Sequence, residues 1–195
     1  SDYEINKARR LGNEEIKKDN NSIEQQIHND LHQYLLSRGM VDERLPQAPD
    51  IEELWTKVGE SYLPDGMREF GAYPIVSIGW MMFIGMAIAK LWDTEWERYS
   101  KEADLYKYLR DQRDFDHMDE YICEEVLLLT EEEQTALAKT VGECASRTHS
   151  LLYHSQLEPG TKEAFQAYVS ALHQMYLMGM SMELKRLGYH MTKLD

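Results

Sequence analysis

The side chains of this chain best suited to chemistry are its seven histidines. Glu24, His28 and His32 follow at four-residue spacing, which puts them on one stripe of a helix. Two histidines placed in this way can share a metal, as in the H-E-x-x-H arrangement. Here the intervening residues read HNDLH, so the glutamate that such a site uses as its base is missing. The stripe also borders an apolar face, where solvated polar side chains belong, and no metal is assigned to it. His149 and His154 are five residues apart and share a helical face poorly. His173 differs from both, because it lies inside a long run without charge. A buried imidazole needs a partner. Tyr176 and Glu183 on the same helix, and Trp80 on another, are the candidates. His173 reads either as a hydrogen-bonded core residue or as a pocket residue that binds or moves protons.

Other constellations fail on spacing. No Glu-x-x-His occurs, which removes the usual carboxylate di-iron site of helical bundles. Asp114, Asp116 and Asp119 with Glu125 follow part of a calcium-loop pattern. Met118 has no side-chain oxygen, however, and Asp119 stands where that loop needs glycine. A helix cap formed by Asp116 and Asp119 explains the same residues. Phosphate-cradling, dinucleotide and nucleophile-elbow motifs are missing. Catalytic residues are therefore not assigned, no cofactor is called for, and the reading leans away from an enzyme. One segment, Tyr62 to Pro74, reads as a loop holding Asp65, Arg68, Glu69 and Tyr73 at the edge of the most apolar helix. It could grip a ligand or pin itself by an internal ion pair.

The elements that must position these residues are all helices, since no strand–turn–strand pattern occurs. Residues 1–21 read as a flexible or loosely docked arm, and 22–195 as a single helical-bundle domain. A capping box of Ser22 and Gln25 opens a helix that carries Ile27, Leu31 and Leu35 and stops at Gly39. Asp50 is expected to cap the next, which Pro64-Asp65-Gly66 should end. Phe70 to Ala89 holds twenty uncharged residues, and Ala164 to Met182 nineteen. Thr130 with Glu133 caps a long helix to about Ser155, and Pro159-Gly160 turns into the last. The expected fold is all-α: an irregular bundle of six to seven helices around two central apolar helices, about 73–92 and 161–187.

Twenty uncharged residues could span a membrane. Gln166, Ser170, His173 and Gln174 make the second run poor for that purpose, and no Lys/Arg bias sets an orientation. The preferred reading is that neighbouring helices or a second subunit cover both runs on every side. Gly79, Gly85 and Gly179 would then admit close backbone approach, and the clustered methionines would fill an irregular core. The net charge of −14 argues against nucleic acid and against anionic lipid. Cys123 and Cys144 are too few for a disulfide framework and read as buried reduced thiols, which suits a soluble cytoplasmic protein. The expected function is a non-enzymatic helical interaction or assembly protein, with self-association or a protein partner. The alternative is a small-molecule-binding protein or enzyme with a pocket between the central helices at Trp80, His173 and Tyr176, rimmed by Arg68, Glu69 and Tyr73.

Overall fold

The structure, a computed structural model, describes residues 23–47 and 49–189. Within them every regular element is a helix. Helix α1 covers 23–37 and α2 Pro49–Ala72. Then come α3 (Pro74–Thr94), α4 (Trp96–Tyr99) and α5 (Leu105–Asp111). A 3-10 turn, Phe115–His117, leads into α6 (Met118–Tyr121) and a π turn, Ile122–Val126. The long α7 (Glu131–His154) and α8 (Lys162–Arg186) complete the bundle. The sequence expectation of six or seven helices omitted the shortest pieces. The arm at residues 1–21 and the cap at Ser22 lie outside the described residues.

Helix α3 is the axis of the bundle, with α8, α7 and α2 packed around it. It starts at Pro74, which lacks only an N–H that would find no intrahelical acceptor in a first turn. Thirteen consecutive residues, Ser77 to Ala89, are buried. Pro74–Thr94 is long and apolar enough to cross a membrane, yet most of it is covered by its own neighbours. The contact with α8 is closest at two glycines. A Cβ on Gly85 would collide with the Tyr176 carbonyl oxygen, and one on Gly179 with the Met82 carbonyl oxygen. The two backbones touch there, so the seam between the central helices is filled. At Gly79 a Cβ would come within 3.2 Å of Val141 on α7.

Caps explain the ends of the long helices. The Thr130 hydroxyl accepts from the Glu133 amide, and the Glu133 carboxylate accepts from the Thr130 amide. Thr161 accepts from the Ala164 amide at the start of α8. Gly39 supplies the left-handed residue after α1, at φ +69°.

Four expectations need correction. Helix α2 does not stop at Pro64-Asp65-Gly66 but continues to Ala72, so Tyr62 to Ala72 is helix and not loop, and Tyr73 alone separates it from α3. Tertiary contacts override the local breakers: Asp65 is tied to α5, and the Gly66 carbonyl accepts the Ser77 hydroxyl at 2.7 Å. Asp50 lies inside the first turn of α2, which starts at Pro49, and is not its cap. Asp116 and Asp119 form no capping box; Asp116 sits in the 3-10 turn, and Asp119 accepts from the Glu120 amide. Finally, the helices of this chain by themselves do not cover the two uncharged runs on every side. Tyr73, Ile75 and Val76 on the first run are exposed, as is Phe165 on the second.

Candidate functional site

His173 is the best-organised polar centre of the molecule, and three helices build it. It projects from α8, meeting Glu24 of α1 and Glu52 of α2. Its Nδ1 lies 2.8 Å from Glu24 Oε1, and its Nε2 lies 3.0 Å from Glu52 Oε2. Carboxylate oxygens only accept, so each ring nitrogen must carry a proton. The geometry is that of an imidazolium between two carboxylates. Burial pushes the His173 pKa down. The Glu24 hydrogen bond and the charges of Glu52 and Glu24 outweigh burial and hold it above the ordinary 6.5. On the other side, the His173 bond holds the Glu24 carboxyl below its ordinary 4.5 against the pull of burial, helped by Gln174.

The surroundings fix the ring. Trp55 of α2 stacks on His173 at 5.1 Å and on Tyr176 at 5.3 Å. The Tyr176 hydroxyl donates to the Ile51 carbonyl at 3.1 Å. Gln174 donates to Glu24, which leaves its Oε1 to accept from His28 Nδ1 at 2.9 Å. His32 does not join the cluster, since its Nε2 donates to the Asp42 carbonyl. Among the described residues no group of His, Cys, Asp and Glu has metal-holding geometry. A cleft of about 450 Å³ opens beside the centre, between His28, Leu45, Pro46, Ile51, Glu52 and Leu177.

The other candidates lie elsewhere. Trp80 packs against Phe83 and Phe115, and its buried Nε1 has no hydrogen-bond partner among the described residues. His173 and Tyr176 thus share one cluster through Trp55, while the ring neighbours of Trp80 belong to a different part of the core. Arg68 is 76% exposed and pairs with Asp65 at 2.6 Å. Glu69 accepts the Tyr73 amide on its carbonyl, and Tyr73 is the exposed residue that precedes α3. The internal ion pair considered for this segment is present, and it belongs to a larger knot. Asp65 also accepts from the Tyr106 hydroxyl at 2.5 Å and from Arg110 at 3.0 Å. Burial raises the Asp65 pKa, but the Tyr106 and Arg110 bonds and the charges of Arg110 and Arg68 bring it below the ordinary 3.8.

A second feature was not visible in the sequence. A groove of about 630 Å³ opens where the ends of α2 and α7 meet the start of α8. Its walls are Met67, Phe70, Leu152, Tyr153, Phe165 and Tyr168, with His149 set edge-on to Phe70. None of its fourteen lining residues is Asp, Glu, Lys or Arg. Phe70 packs on Tyr168, and the Tyr168 hydroxyl meets Ser77 Oγ at 2.5 Å. The α2–α3 corner between Phe70 and Ser77 therefore sits at the same end. Of the ten exposed large apolar side chains among the described residues, Met67, Tyr153 and Phe165 line the groove, and Tyr73, Ile75 and Val76 lie on the α2–α3 corner. Tyr153 is 76% exposed. The aromatics flanking the Pro159-Gly160 turn were the one available signal, but both uncharged runs read as interior.

Comparison with protein-family models, with curated proteins and with solved structures finds no match to this chain.

Proposed function

We propose that this chain is a non-enzymatic assembly protein that pairs with a second copy of itself across this apolar groove. The observation that carries this reading is the gathering of exposed apolar side chains around a groove with no charged lining residue. Exposed apolar clusters of this kind mark contact sites. The rest of the surface bears the excess acid of a chain with net charge −14, and two copies repel wherever those surfaces meet. The groove lining adds no charge to that repulsion. The patch also offers both halves of a self-complementary fit, a concavity and the protruding Tyr153 ring, as a two-fold interface requires.

Sedimentation equilibrium tests the proposal. The expected result is a dimer that Tyr153→Glu and Phe165→Glu convert to monomer with unchanged helicity, because both side chains are exposed. A chain that stays monomeric at every concentration would overturn it.

A further inference from the structure

The His173 centre carries a consequence separate from self-association, since none of its residues lines the groove. We propose that His173 is a proton-operated latch that fastens the first turn of α2 to α8. The charged imidazolium holds Glu24 and Glu52 together. The neutral ring keeps Glu24 and releases Glu52.

The argument rests on donor counting. A neutral imidazole has one N–H and one lone pair. With carboxylate oxygens 2.8 Å and 3.0 Å from its two nitrogens, loss of the proton turns one of the two contacts from attraction into lone-pair repulsion. The two carboxylates are not held equally. Glu24 keeps a second donor in Gln174 at 3.1 Å. Glu52 has His173 as its one carboxylate donor among the described residues, and its side chain is 59% exposed. The remaining N–H therefore stays on Nδ1, facing Glu24, and Glu52 turns to water. The groups surrounding the ring are Glu24 and His28 on α1, Glu52 on α2 and Tyr176 on α8 itself. Of these only the two glutamates face the ring nitrogens with charge.

Release loosens a defined element. The first turn of α2 would then be attached to α8 by the Ile51 carbonyl on Tyr176 and by Trp55 stacking. Ile51 and Glu52 form one wall of the cleft of about 450 Å³, so their movement widens it. The sign follows from the raised pKa. The latch is fully closed below 6.5 and opens as the pH climbs through the higher folded-state value.

The full chain with labelled histidine rings provides the test. The His173 ring should carry both protons below 6.5, with a midpoint above it. Amide exchange over residues 50–56, corrected for intrinsic rates, should speed up several-fold across that same midpoint, as the first turn of α2 loses its ion pair with His173. The central part of α8 should not change. His173→Gln should abolish the pH dependence, and Glu52→Gln should lower the ring's midpoint. A singly protonated ring below 6.5, or a pH dependence that survives His173→Gln, would overturn the proposal. The ring titration of the unsubstituted chain decides the matter even if a variant fails to fold.

Discussion

Asp65 shows how one carboxylate can decide whether a segment is loop or helix. It collects Tyr106, Arg110 and Arg68, and these contacts differ in worth. The Tyr106 side chain is fully buried, so its hydroxyl has nowhere else to turn, whereas Arg68 points into solvent. Asp65→Ala is expected to cost about 2 kcal/mol in urea unfolding, because it strands the buried Tyr106 hydroxyl. Arg68→Ala should cost less than about 0.5 kcal/mol, as for exposed pairs in general. The Asp65 contribution is complete above the ordinary 3.8 and disappears as the pH falls through its lower folded value. Acid unfolding of Asp65→Asn should accordingly show a shallower pH slope in that range. The thiols offer a separate check. Burial pushes both Cys123 and Cys144 up to about 12, so a thiol-specific reagent should label neither before unfolding.

Helices α3 and α8 approach as closely as they do because each carries a glycine opposite a carbonyl of the other. Gly85→Ala or Gly179→Ala must move a backbone, not a side-chain tip, and should cost at least about 2 kcal/mol by thermal unfolding. Gly142 gives the contrasting case. It lies within α7, and a Cβ there would meet nothing within 4 Å. Gly142→Ala should therefore stabilise by about 0.5–1 kcal/mol through helix propensity alone. This scale also marks how far the sequence was readable. Capping boxes and uncharged runs are local signals, and the starts of α7 and α8 and the identity of the central pair followed from them. The end of α2 did not, because Pro64 and Gly66 argue locally for a break while Tyr106, Arg110 and Ser77 argue from a distance for continuation. The His173 centre was half visible. Its need for a partner was plain, but Glu24 and Glu52 come from helices whose placement no spacing reveals. The groove escaped notice because an apolar run looks the same whether its last turn is covered or open.

At the scale of the whole molecule, a net charge of −14 stands against a groove with no charged lining residue. That contrast separates two kinds of self-association. An interface built on ion pairs weakens in salt. Contact through the groove end should strengthen, because salt screens the mutual repulsion of the remaining surface. The dissociation constant of the proposed dimer is expected to fall several-fold between about 0.05 and about 0.5 M salt, measured by sedimentation. A rise would point to charged contacts and away from this face. The placement of α8 has a further consequence for how the chain comes into being. The axial helix is translated well before the partner that seals it, with five short elements and all of α7 in between. Until the ribosome has delivered Lys162–Arg186, Ser77 to Ala89 lack their main cover. A nascent chain arrested before that point presents a long greasy segment to chaperones and to membrane-insertion machinery alike, so its safe maturation depends on how fast synthesis finishes.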